Sequence, residues 1–180
     1  RDLPSFPLRR SSDLAGRPRK TMLWANRNGF MYVLDRTNGK LISAKPFGTV
    51  NWADRVDMAT GRPGESALVT QKLRKGETIE MSPARATNAT LSAYNPKTGL
   101  LFLNSWEAMR VMKFVDVKLE VGGGYTGIDG GYKNPANLAP GYTIAINPIT
   151  SKIAWKQPLE EFAISAGTLA TDGGLLFTGK

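Results

Sequence analysis

From Thr21 onward, apolar residues come in short bursts separated by glycine, asparagine, aspartate and proline, and no stretch keeps the spacing of a helical face. The segments Met22–Asn26, Phe30–Asp35, Leu41–Ala44, Ser92–Tyr94, Leu100–Asn104, Val111–Val121, Tyr142–Asn147, Lys152–Trp155, Gly167–Thr171 and Leu175–Thr178 are rich in aromatic and branched residues, so each is expected to be a β-strand. Between the runs one turn recurs: Asp57-Met58-Ala59-Thr60-Gly61, Asn95-Pro96-Lys97-Thr98-Gly99 and Asn147-Pro148-Ile149-Thr150-Ser151, with Asp35-Arg36-Thr37-Asn38-Gly39 as a variant. The Asp or Asn side chain caps a type I turn, and the closing Gly takes the left-handed residue that returns the chain as the next strand. Four such turns in one chain indicate an array of hairpins, and the 19 Gly and 11 Pro fit short strands better than long helices.

Composition narrows the chemistry more than the fold. The chain has 180 residues, 41% hydrophobic and 22% charged, enough for one ordinary domain or a piece of a larger one. It contains no His and no Cys. A Cys/His zinc site, a disulfide, a thiol nucleophile and a Ser-His-Asp triad are therefore excluded. No apolar run approaches the roughly 20 residues of a membrane-spanning helix.

The formal charge of +9 raises the question of nucleic acid. Its distribution answers otherwise, since residues 1–20 alone hold a net four of those charges. The only dense basic cluster in the body, Lys72, Arg74 and Lys75 around Leu73, sits beside Gly76 and is expected to be a solvated loop. Residues 1–20 are expected to be a non-native or disordered tail preceding a body at 21–180. Arg1 to Leu14 have no periodicity, and their closing FPLRRSSDL resembles the conceptual translation of a sequencing adapter. The chain is expected to be an internal stretch of a longer one, because Leu175–Lys180 is an apolar run cut where a turn should begin.

The segment Ala145 to Trp155 adds an Ala before the turn and a Trp after it, and this is similar to the tryptophan-docking repeat of the pyrroloquinoline quinone (PQQ) dehydrogenases. Longer segments sharpen the resemblance: Trp24 to Lys40, Val50-Asn51-Trp52-Ala53 with Thr60 to Pro63, Ala93 to Leu100, and Gly167 to Gly179 match the methanol and ethanol dehydrogenases of that family in the same order. The fold class it implies is all-β, a partial β-propeller of about three to four antiparallel blades out of eight, each a four-stranded sheet, with a docking Trp packed between blades. Open ends of such an array should leave apolar surface exposed.

The resemblance also assigns two cofactor-binding residues. A basic residue at the place of Arg27 reaches the adjacent carbonyl oxygens of the quinone, and an Asn at the place of Asn88 contacts the same ring system. The chemistry agrees, because hydride arriving at an ortho-quinone leaves negative charge on oxygen, which a guanidinium fork and an amide donor both stabilise. Read without the family, Arg27 is a strand-end surface arginine and Asn88 a turn residue. Ala89 and Ser165 stand where relatives usually carry Trp. No carboxylate of this chain is assigned as base or metal ligand: Asp35 and Asp57 read as turn residues, and Glu160-Glu161 as a solvated loop. The implied whole enzyme takes a small primary alcohol, PQQ and a calcium or lanthanide ion whose ligands lie outside this stretch, passes electrons to a cytochrome c-type acceptor, and works in the periplasm. The chain by itself is expected to be inactive. The competing function class is a non-catalytic propeller serving as a cell-envelope scaffold, and a nucleic-acid module is not expected.

Overall fold

A computed structural model describes residues 19–88, 90–134, 141–159 and 166–179. Arg1 to Leu14, Ala89, Glu160, Glu161 and Ser165 lie outside the described residues. The strands are β1 (Thr21–Ala25), β2 (Phe30–Asp35), β3 (Leu41–Pro46), β4 (Ala53–Val56), β5 (Pro63–Glu65), β6 (Ile79–Met81), β7 (Ala93–Asn95), β8 (Leu100–Trp106), β9 (Met109–Phe114), β10 (Ile128–Lys133), β11 (Gly141–Ile146), β12 (Ile153–Leu159), β13 (Thr168–Ala170) and β14 (Leu176–Thr178). Every strand pairing among them is antiparallel.

The recurrent turns do what their residues dictate. The N–H groups of Gly39, Gly61, Gly99 and Ser151 donate to the carbonyls of Asp35, Asp57, Asn95 and Asn147 at 2.7, 2.8, 2.9 and 2.8 Å. Each of those Asp or Asn side chains accepts from a backbone N–H two residues on. The closing glycines have φ of 74, 72 and 69°, and Ser151 is driven into the same left-handed region at 58°. This local chemistry folds β2–β3, β4–β5, β7–β8 and β11–β12 into hairpins.

The hairpins assemble into stacked sheets. A central sheet in the order β12-β11-β8-β7 lies between the sheet β1-β2-β3 and the hairpin β13–β14. On one side Met31 clusters with Leu101, Leu103, Ile144 and Ile146. On the other, the Thr168 hydroxyl donates to the Phe102 carbonyl at 2.8 Å, and the Asn104 amide donates to the Thr178 hydroxyl at 2.9 Å. Strands β8 and β11 are therefore buried on both faces, whereas β12 is largely exposed and marks the periphery. Face-to-face stacking of antiparallel sheets with an inner and an outer edge is the blade arrangement of a propeller. Apolar side chains at Trp24, Leu169, Leu175 and Phe177 are half or more exposed on the first sheet and the last hairpin, as expected of blades lacking a neighbour. Trp155 is 42% exposed and stacks on Phe102 of its own sheet, ring centroids 5.9 Å apart.

Three local expectations need correction. Among the described residues only one sheet reaches four strands; the others have three or two. The run Val111–Val121 is strand only to Phe114, and β9 pairs with β6 and β10 in a separate side sheet. β10 escapes a propensity reading because Ile128-Asp129-Gly130-Gly131 looks like a turn, yet Gly130 is required there: at φ 134° its backbone lies so close to β9 that a Cβ would sit 2.0 Å from the Val111 carbonyl oxygen. The basic cluster around Leu73 is not a loop but two short helical turns, Leu68–Lys72 and Leu73–Lys75. Val69 and Leu73 bury there against Ile79 and Met112, which turns the lysines and Arg74 outward.

Candidate cofactor-facing site

The turn from β1 to β2 is Asn26-Arg27-Asn28-Gly29, and its two asparagines are consumed by its own architecture. The Asn26 side chain accepts from the Asn28 N–H at 2.9 Å, and the Asn28 side chain accepts from the Phe30 N–H at 3.0 Å while donating to the Tyr32 hydroxyl at 2.9 Å. The Asn28 carbonyl accepts from the Trp52 indole at 3.0 Å. Gly29, at φ 94°, leaves no room for a side chain, since a Cβ would lie 2.7 Å from Val50 Cγ2. Arg27 is left at the apex. Its side chain is exposed and has no ion-pair or hydrogen-bond partner among the described residues.

Asn88 arrives from a distant part of the chain. Asn51 ties the segment down, accepting from the Ser82 N–H at 2.7 Å and donating to the Glu80 carbonyl at 2.9 Å. The following residues run between the Arg27 turn and the end of β8: the Ala86 N–H donates to the Arg27 carbonyl at 3.0 Å, and the Trp106 N–H donates to the Ala86 carbonyl at 2.9 Å. Asn88 stands two residues beyond that link, exposed, with its amide unpaired among the described residues. The structure thus places Arg27 and Asn88 on adjoining backbone segments at one edge of the stacked sheets. Both present donors and neither is neutralised, which suits a group offering oxygen acceptors.

Sequence reasoning missed Ala86, whose backbone makes both links, and no local signal marks it. It also missed a cluster of Arg85, Arg110, Tyr132 and Trp106 beside the same segment. No three acidic, histidine or cysteine side chains gather as a metal site among the described residues. Among them, too, no helix is long and apolar enough to cross a membrane. A groove of about 500 Å³ lies between Trp24, Tyr32 and Leu41 of the first sheet and the Met58–Gly61 turn, and neither Arg27 nor Asn88 lines it.

The fold and this edge define a blade-type β-propeller segment with a donor-lined rim. Comparison with known proteins shows which family this segment resembles. No family model matches the chain. It is 41% identical over 175 residues to the quinohemoprotein alcohol dehydrogenase ADH IIB of Pseudomonas putida, covering 93% of this chain and 24% of that protein. It is 37% identical to the quinoprotein ethanol dehydrogenase of Pseudomonas putida, covering 93% of this chain and 28% of that protein. The structure superimposes on the quinohemoprotein alcohol dehydrogenase of Comamonas testosteroni with a TM-score of 0.76 at 34% identity, covering 93% of this chain and 26% of that one. By sequence and fold the chain is similar to one stretch of the quinoprotein alcohol dehydrogenases, and it spans about a quarter of the length of the curated relatives it matches.

Proposed function

We propose that the protein carrying this chain is a PQQ-dependent dehydrogenase that oxidises a small primary alcohol to the aldehyde, and that Arg27 and Asn88 face its quinone. PQQ would supply the hydride acceptor and a calcium or lanthanide ion, held by ligands elsewhere in the protein, a Lewis acid, while Arg27 and Asn88 would hold the quinone from this chain. The observation that carries the reading is the Ala86-to-Arg27 backbone bond, which fixes two unpaired donor side chains from distant segments at one rim. Arg27 contributes a permanent cation whose forked N–H groups meet oxygen without a competing carboxylate. Asn88 adds an amide donor without adding charge, so the pair favours the form of the ligand with charge on oxygen. Both are held from behind: the Arg27 turn by its asparagines and Gly29, the Asn88 segment by Asn51. Such preorganisation spares reorganisation during reaction. The remainder of the proposal is a cytochrome c-type electron acceptor, a periplasmic location, and no turnover by this chain alone, which spans about a quarter of the length of its relatives.

The test is Arg27→Ala in the full-length protein, with PQQ and metal supplied. It should lower kcat/KM by on the order of 2–4 kcal/mol, as for loss of one oxyanion donor, with the fold intact. Lys97→Ala is the control. Lys97 sits at a turn tip in an exposed ion pair with Asp172 at 2.8 Å, so its loss should leave catalysis unchanged. Equal effects of the two variants refute the role of Arg27, and alcohol oxidation independent of PQQ refutes the dehydrogenase assignment.

A further inference from the structure

Beside the rim, a second constellation draws its side chains from four places in the chain. Arg85 comes from the segment after β6, Trp106 from the end of β8, Arg110 from β9 and Tyr132 from β10, where it stands directly opposite Arg110 in the register. Arg85 Nη2 and Arg110 Nη1 both donate to the Tyr132 hydroxyl, at 2.5 and 3.0 Å. The guanidinium carbons lie over the Tyr132 ring at 5.2 and 5.1 Å, and that of Arg85 also lies over Trp106 at 5.8 Å. Trp106 and Tyr132 pack with centroids 4.9 Å apart.

Two permanent cations thus converge on one phenol oxygen, and nothing among the described residues neutralises them. The neighbouring acids are used elsewhere: Glu80 pairs with Lys133 at 2.6 Å and Glu107 with Lys156 at 2.8 Å. A neutral phenol accepts the two hydrogen bonds but balances no charge. The Nε groups of both arginines are buried without an acceptor, so the donors still able to meet a ligand are terminal N–H groups, and Tyr132 beside them is 44% exposed. The arginines are also stiffly held. Backbone bonds fix Ala84 and Ala86 on either side of Arg85, the Tyr132 ring lies under both guanidinium groups, and Trp106 lies under that of Arg85 as well. A rigid two-arginine fork over an aromatic floor matches a group with paired anionic oxygens.

We propose that Arg85, Arg110 and Tyr132, floored by Trp106, form a binding site for the oxyanion of a small molecule, a carboxylate or a phosphate group. The site is independent of the cofactor-facing reading and stands whether or not Arg27 meets a quinone. The electrostatics support it: partial burial pushes the Tyr132 phenol up, yet hydrogen bonds from Arg85 and Arg110 and their charges outweigh it and hold the phenol below its ordinary range. The other charged group on the same strand end, Lys133, is taken by Glu80, so the two arginines set the local field.

The full-length protein is titrated calorimetrically with benzoate, inorganic phosphate and chloride. At least one of the two oxyanions should bind saturably and chloride should not. Arg85→Gln and Arg110→Gln should each weaken binding on the order of tenfold or more, as expected for loss of a charge-assisted fork. Arg110→Lys, which keeps the charge, should retain part of the affinity. A second readout uses the folded wild type, taking the phenolate absorbance of Tyr132 as the difference from Tyr132→Phe. The bound anion takes over the arginine donors and opposes the phenolate charge, so ionisation should move to higher pH. Tighter benzoate identifies a carboxylate ligand and tighter phosphate a phosphate ligand, and either upholds the site. Absence of oxyanion binding, affinity unchanged in both glutamine variants, or Tyr132 ionisation unmoved at saturation overturns it.

Discussion

Replacing Ser151 by Gly should stabilise the fold, and the structure says by how much. Ser151 closes the β11–β12 turn in the left-handed region at φ 58°, the place taken by Gly39, Gly61 and Gly99 in the other three turns. A residue with a Cβ loses about 1–2 kcal/mol in that conformation. The Ser151 hydroxyl is also buried without a partner among the described residues, and leaving such a group unsatisfied costs roughly 1–3 kcal/mol. Against this, glycine gives the unfolded chain extra entropy worth about 0.4–1 kcal/mol. The net gain is about 1–4.6 kcal/mol, or roughly 2–18 °C in Tm at about 2–4 °C per kcal/mol for a chain of this size. Urea unfolding is the assay, with the midpoint rising and the slope unchanged. The reciprocal change Gly99→Ser isolates the backbone term, because nothing lies within 4 Å of the Gly99 Cβ position, and it should lose about 1 kcal/mol. If Gly99→Ser destabilises while Ser151→Gly is neutral or worse, the Ser151 hydroxyl holds a partner that offsets the strain, and the reasoning fails.

The remaining predictions concern the rim and the turns. Gly29→Ala should destabilise by about 2–4 kcal/mol, combining left-handed strain with a Cβ 2.7 Å from Val50 Cγ2; a loss under about 1 kcal/mol in urea would show that the turn opens freely. The Asp57 carboxyl is held below its ordinary range by hydrogen bonds from the backbone N–H and the hydroxyl of Thr60, then from the Ala59 N–H. Its stabilisation is present above the unfolded value of about 3.9 and lost as pH falls through the folded value, so below about pH 4 the stability of Asp57→Asn should decline less steeply than wild type. Parallel pH curves would remove the carboxylate from the turn. Thr168→Val should weaken the seating of β13–β14 on the central sheet by roughly 1–3 kcal/mol, because the hydroxyl donates to the Phe102 carbonyl at 2.8 Å; an unchanged unfolding midpoint would contradict it.

What was legible in the sequence is what depends on neighbours in the chain. The turns were, because an Asp or Asn side chain bonds N–H groups two and three residues ahead, as Asp57 does with Ala59 and Thr60. The strands flanking them followed, since little else connects such turns. Arg27 was found through its resemblance to a family and not through its chemistry, which by itself describes any surface arginine. Only the tertiary structure decided the rest. Strand β8 reads apolar at Leu101, Phe102 and Leu103 in succession, and two-sided burial became visible only once Met31 lay on one face and Thr168 on the other. Leu73 lies among three basic residues, and its packing against Met112 turned an expected loop into helix. β10 was hidden by glycines whose purpose is the backbone of β9. Asn88 was brought beside Arg27, and Arg85 over Tyr132, by hydrogen bonds of Ala86 and Ala84 to segments remote in sequence. Alanine advertises nothing: a backbone N–H is the same on every residue but proline, so which carbonyl it meets is settled by how sheets stack and not by the letters between them.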